Sequence, residues 1–397
     1  MSRSNGNGAR RLRVLILTAD IGSGHDLPAQ ALAHGLREEQ PDADVRVADG
    51  LIAMGWLIRL VVRENSEVVL RWGTWIFDLQ YRLITALRFT RWVARTFLYV
   101  LGARGLARVI AEHSPDVVVS TYPGTTEVLG RMRARGRLDV TVCSAITDLA
   151  ALLYWAHPGV DLHLVTHRES IDEVNRIAGA GRVRWVRGLT RPSFHSPVDQ
   201  AGARRALGLP SAARVVVVSG GGWAVGDLKG AVEVALGRTD TYVVCLAGCS
   251  DRLRRRLTRR FRWQPRVQVW GFTERMSELL AAADVMVHST GGLTVLEAHM
   301  RGCAPISYGW GVGHVRANNE AFHRFGLAEV ADSRRDLAGV LERSLECGRE
   351  PDRSFEALPT AATVVTALAF GLPVAAHHPA GARPPAVVAA DVAPDVA

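Results

Sequence analysis

Short apolar runs alternate with longer stretches of helical period along most of this chain. Residues 14–17, 45–48, 117–120, 140–146 and 162–165 are such runs in the first half, and 215–219, 242–247, 267–270, 285–288 and 305–308 are their counterparts in the second. Runs of this length, bounded by polar or glycine residues, read as strands covered on both faces. Between them the period lengthens: Ala29, Leu32, Ala33 and Leu36 recur at helical spacing after the first run. Strand and helix alternating twice over predicts an α/β chain of two doubly wound, Rossmann-like parallel sheets. The Pro-, Gly- and Ser-containing stretch 189–211 is the predicted linker. The expected organisation is therefore residues 1–192, 193–345, a terminal helix within 346–376 that packs back on the first domain, and a disordered tail at 377–397.

In such sheets ligands bind beyond the carboxyl ends of the strands, so two facing sheets predict a cleft with one ligand on each wall. The turns at those strand ends carry the chemistry. The first run leads into Gly22-Ser23-Gly24-His25-Asp26 and then a helix. Glycines there let a ligand approach bare backbone where the orphan N–H groups of a helix start point outward. His25 adds a group whose ordinary pKa suits proton acceptance, although a histidine that only binds phosphate or caps the turn would fit the same pattern. Asp148, in ITDLAALLYWAHPG, is the second candidate, as a base or as partner of the imidazole. In the second half Gly220, Gly221 and Gly222 follow a strand directly. This is no P-loop, because Gly230 and not Ser or Thr follows Lys229. The segment 284–308 reads strand, glycine turn, helix, strand, with Glu297 early in the helix. A carboxylate so placed can accept from both hydroxyls of a ribose, or can simply face solvent.

Charge and composition narrow the partners. The 397 residues carry a formal net charge of +9 and are 48% hydrophobic, a globular composition that suits an anionic ligand or surface. Only charge supports nucleic-acid binding, with no recognition motif beside it, so no nucleic-acid partner is expected. The five cysteines are scattered, without the spacing of a zinc or redox pair, and His157, His163 and His167 would not share a helix face; no metal site is expected. Scattered free cysteines also fit a reducing, cytoplasmic setting. Residues 357–376 carry no charge over about the length of a membrane span, but Pro359, Pro373 and the alanine content favour a buried terminal helix. Residues 51–113 are too long for a plain crossover. Nine arginines and three acids lie within 51–110, together with Trp56, Trp72, Trp75 and Trp92. Helical spacing puts Arg88, Arg91 and Arg95 on one stripe and Phe89, Val93 and Phe97 opposite, the pattern of an interfacial helix on anionic lipid or of an ordinary amphipathic helix.

The segment from Val269 through Tyr308, followed by GHVRANNEAF, resembles the donor domain of inverting GT-B glycosyltransferases. ADIGSGHDLPAQALAHGL, PDVVVSTYPGTTEVLG and ITDLAALLYWAHPG resemble successive blocks of the monogalactosyldiacylglycerol synthase family, which is related to the peptidoglycan N-acetylglucosaminyltransferase. The resemblance runs in order over roughly residues 12 to 345. It implies a GT-B fold and hexose transfer from a UDP-sugar, which is substrate and not cofactor, to a lipid acceptor, with diacylglycerol leading. It also implies a peripheral position on the inner face of the cell membrane. By the same resemblance uridine sits near Gly271 and Phe272, ribose on Glu297, diphosphate near Gly221, Gly222, Thr290 and Gly291, and the sugar near the loop from Gly313 to Asn318 with His314, while Gly292 also belongs to the donor side. Gly24, Trp75, Arg88, Arg91, Trp92 and Arg95 fall on the acceptor and membrane side. Where many relatives carry glutamine in the sugar loop, this chain has Gly313-His314-Val315-Arg316. Other readings are a polyprenyl-linked or soluble acceptor, or a silent nucleotide-sugar-binding module. A dinucleotide site is excluded because Leu27 stands where a third small residue belongs.

Overall fold

The computed structural model describes residues 11–20, 24–64, 87–197, 199–309 and 314–373. The first sheet contains β1 (Arg13–Thr18), β2 (Asp44–Asp49), β3 (Val117–Ser120), β4 (Thr141–Ile146), β5 (Leu162–Val165) and β6 (Val183–Trp185). The second contains β7 (Arg214–Ser219), β8 (Thr241–Leu246), β9 (Val267–Trp270), β10 (Val285–His288), β11 (Ala304–Tyr308) and β12 (Glu329–Ala331). All pairings are parallel, in the orders β2-β1-β3-β4-β5-β6 and β12-β11-β10-β7-β8-β9. Each sheet gains a short sixth strand, β6 and β12, that the apolar pattern did not mark. Both lie at sheet edges, have three residues and are incompletely buried, so they leave no continuous apolar run.

Six helices position the site: α1 (Asp26–Glu39), α2 (Arg88–His113), α3 (Pro123–Ala134), α4 (Gly292–Met300), α5 (His314–Phe325) and α6 (Ala361–Ala369). The α1 face of Ala29, Leu32, Ala33 and Leu36 is buried against the first sheet. Helix α6 packs on the same layer through Ala361, Ala362, Val364 and Val365, and its start is tied down where Thr363 Oγ1 donates to Glu39 Oε2 over 2.8 Å. It stops at Ala369, and among the described residues no helix is long and apolar enough to cross a membrane.

The stretch 189–211 is more ordered than a linker. It contains a helix, Gln200–Leu207, whose Leu207 and Ala203 join the core beneath the second sheet, while Arg301 Nη1 donates to the Ser196 carbonyl over 2.7 Å. Its turn-forming residues hid an ordered anchor.

Candidate active site

Both sheets reverse strand order at one point, β1/β3 in the first and β7/β10 in the second. The turns leaving these neighbouring strands diverge to opposite sides and open a crevice. The glycine turns that include Gly24, Gly220–Gly222 and Gly291–Gly292 each follow one of these four strands. One cavity of about 550 Å³ runs between the domains and takes its lining from both crevices, including Gly24 and His25 on one wall and Gly220–Gly222 and Glu297 on the other.

On the first wall, His25 stands immediately before α1, and its Nδ1 lies 3.0 Å from the carbonyl oxygen of Thr121 at the end of β3. A carbonyl accepts only, so Nδ1 carries a proton and donates, and in the neutral ring the acceptor role then falls to Nε2. The Thr121 hydroxyl returns the contact by donating to the His25 carbonyl over 3.0 Å. The ring is steadied by Tyr122, edge-on at 5.2 Å, and by Trp155 at 5.5 Å. A base anchored across the switch point in this way has a defined tautomer and a fixed direction.

On the second wall the turn after β7 is drawn tight. Ala224 N donates to the Gly221 carbonyl and Val225 N to the Gly220 carbonyl, over 3.1 and 3.0 Å. A side chain at Gly220 would meet the Val225 backbone at 2.2 Å, and Gly221 has φ +70°, so both positions require glycine. The Ser289 hydroxyl donates to the Val225 carbonyl over 2.7 Å, joining this turn to the one after β10. Thr290, Gly291 and Gly292 follow at the start of α4, whose N-terminal N–H groups face the same cavity. Glu297 is half-buried as a residue, yet desolvation of its carboxyl pushes it up to about 8, with Arg191 pulling the other way. In contrast His288, at the end of β10, is fully buried; desolvation pushes it down to about 4, and it stays neutral against Thr290 Oγ1 at 3.1 Å.

Thus His25, Asp148, Gly24, Gly221, Gly222, Gly271, Phe272, Thr290, Gly291, Gly292 and Glu297 all border one cavity. Asn318 does not line it. It is 1% exposed and bonded to the loop that carries Asp148. Trp75 lies outside the described residues, as do Gly22, the tail 377–397 and the side chains of Arg88 and His314. The sequence reading missed Arg191, Tyr154 and Trp223, which also border the cavity. Trp223 had a signal, since it follows the glycine triplet directly. Arg191 had none, because it sits in the presumed linker.

Of the expected basic stripe of α2, Arg91 and Arg95 are part-buried. Arg95 pairs with the buried Glu127 of α3, so its guanidinium partners a carboxylate taken out of water. Outward face Phe89 and Trp92, 72% and 59% exposed with rings stacked at 6.2 Å, followed by Val93, Phe97 and Val100. The adjoining segment adds Trp56, Leu60 and Val61, all exposed, and its Val62 borders the cavity. This apolar side of α2 is offered to the surroundings.

The sequence model of the monogalactosyldiacylglycerol (MGDG) synthase family matches residues 25–181. The chain is 27% identical over 363 residues to the probable chloroplastic monogalactosyldiacylglycerol synthase of Glycine max, covering 85% of this chain and 66% of that protein. It is 22% identical to the processive diacylglycerol beta-glucosyltransferase of Staphylococcus aureus (strain Newman), with 85% of each covered. The chain thus spans a little under two thirds to about two thirds of the plant relatives it matches. Among solved structures, Acinetobacter baumannii MurG superposes with a TM-score of 0.53 at 15% identity, covering 90% of this chain and 99% of MurG. Medicago truncatula UGT71G1, solved with UDP-glucose, gives 0.52 at 12% identity, covering 91% and 93%. The fold is GT-B.

Proposed function

We propose that this chain, which resembles the monogalactosyldiacylglycerol synthases, is an inverting glycosyltransferase. In this reading it moves a hexose from a UDP-sugar to a diacylglycerol-type lipid at the cytoplasmic face of a membrane. The observation that carries the reading is the pairing across one cavity of His25, its Nδ1 committed to Thr121, with the glycine turns and α4 start of the opposite wall.

The chemistry follows from that pairing. The acceptor hydroxyl gives its proton to His25 Nε2 as its oxygen attacks the anomeric carbon, and the bond from that carbon to the diphosphate oxygen breaks. A positioned base contributes ~10²–10⁴-fold to such a step. The departing UDP gathers negative charge, which N–H groups of the Gly220–Gly222 turn and the α4 N-terminus are placed to stabilise without a resident cofactor. The Glu297 carboxyl hydrogen-bonds the ribose hydroxyls, and Asp148 orients the acceptor or supports the imidazolium. The exposed apolar face of α2 and Val61 to Val62 would bring the cavity to the bilayer surface, where a lipid hydroxyl is found.

The test is UDP release from UDP-glucose, UDP-galactose and UDP-N-acetylglucosamine, with and without diacylglycerol in anionic vesicles. Lipid-dependent release with one donor is expected. Donor binding without stimulation by any lipid would sink the acceptor assignment and leave a donor-binding GT-B chain.

A further inference from the structure

We propose that Asn318 of the second domain is a positioning residue that sets the carboxylate of Asp148 from across the cleft. The proposal rests on the function proposed above. Asn318 comes from α5, and its amide spans two adjacent residues of the loop after β4. Its Oδ1 accepts from the Leu149 backbone N–H over 3.2 Å, and its Nδ2 donates to Asp148 Oδ1 over 3.4 Å.

Each bond is long, but neither acts alone. Leu149 is 1% exposed and packs among Val295 of α4 and Ala321 and Phe322 of α5, so the first domain plugs a leucine into the second. The start of α4 closes on the other side of the same loop. A side chain at Gly291 would stand 2.8 Å from Asp148 Oδ1, and one at Gly292 would stand 2.7 Å from the Thr147 carbonyl oxygen. These glycines leave room for the loop as well as for a ligand. His167, the titratable group facing this loop from the end of β5, is held neutral by burial and donates to the Gly292 carbonyl over 3.1 Å. Immediately beyond, Ala151 adopts φ +55°, a conformation costly for a side-chain-bearing residue and retained where the surroundings dictate it.

The loop that bears an acceptor-wall carboxylate is therefore shaped by donor-wall residues. Gly291 borders the cavity and stands beside Asp148, so the carboxylate lies next to any ligand seated at the α4 start.

The experiment compares the full-length wild type with Asn318→Ala, Asn318→Asp, Asp148→Asn and the Asp148→Asn/Asn318→Ala pair. It measures calorimetric UDP and UDP-sugar affinities, kcat against pH, and melting temperature. Asn318→Ala should lower kcat about 10-fold or more with donor affinity within about twofold, and should add less than about twofold once Asp148 is Asn. Asn318→Asp sets a second carboxylate against Asp148 and should move the acid limb of kcat upward by about one pH unit, which loss of packing alone would not do. A donor affinity that falls as far as kcat would place Asn318 on the donor and overturn the proposal. So would losses that multiply in the paired variant, or melting shifts that simply add. A wild type that releases no UDP with any donor and lipid overturns the proposed function itself. The melting cycle then still decides whether the Asn318–Asp148 contact exists.

Discussion

Arg95 donates from Nε to Glu127 Oε2 over 2.7 Å, while Arg131 Nε approaches the other carboxylate oxygen at 2.6 Å, and Glu127 is only 4% exposed. The pair joins α2 to α3 and decides which way α2 faces. Removing Arg95 leaves a buried carboxylate with one of its two guanidinium partners. Arg95→Ala should therefore destabilise the fold by about 3 kcal/mol, measured by denaturant unfolding. A loss under about 0.5 kcal/mol would mean that the pair is solvated and that α2 is not fixed by it.

The opposite face of α2 should behave in the reverse sense. Phe89→Ser and Trp92→Ser touch exposed rings, so stability should stay within about 0.5 kcal/mol. Affinity for anionic vesicles in a flotation assay should fall by roughly 10-fold for each aromatic removed. Unchanged flotation with both rings gone would place the membrane contact elsewhere.

His25→Ala should reduce turnover by ~10²–10⁴-fold with UDP-sugar affinity preserved, because the ring contributes a proton acceptor and not a donor contact. A collapse of donor binding in this variant would instead assign the ring to the diphosphate. Comparing the residual rates of His25→Ala and Asp148→Asn identifies which of the two takes the proton.

Gly292→Ala should lower the melting temperature, since its added carbon meets the Thr147 carbonyl oxygen at 2.7 Å and His167 Nε2 at 3.2 Å. An overpacked contact of this kind costs about 1–3 kcal/mol. Differential scanning calorimetry checks it, and a neutral result would mean that the two domains part readily at this seam.

The ligand-free chain should be most stable near pH 6.5. Burial pushes His163, His167 and His288 down to about 4, and lowers His157 and His195 as well. Below their unfolded pKa of about 6.5 the unfolded chain binds more protons at these sites, so stability falls as the pH drops. Glu297 has the opposite sign: with its carboxyl near 8 when folded and about 4.3 when unfolded, it loses stability as the pH rises across that window. The histidines outweigh it below 6.5, and Glu297 acts alone among these groups from there to 8. Chemical denaturation across pH 5–8 tests this, and Glu297→Gln should flatten the alkaline side. If the alkaline slope persists in that variant, Glu297 is not its source.

Two parallel sheets and the turns that line the cleft are legible in the amino-acid pattern alone. Unbroken apolar runs can be buried only as central strands, and a glycine turn between such a strand and a helix leaves backbone N–H groups free, so these features are local and legible. His25 and Glu297 were found for the same reason: each lies within a few residues of its turn. Short edge strands β6 and β12, the helix inside 189–211 and the inward turn of Arg95 were not legible. Each depends on a partner distant in the chain, such as Glu127 for Arg95 or Arg301 for the residues around Ser196. Asn318 shows the limit most clearly. Its sequence neighbours pointed to a sugar, but 170 residues separate it from Asp148, and only the packing of one domain's loop into the other's helices brought the two side chains together. Periodicity records which face of an element is buried; it carries no record of what that face meets.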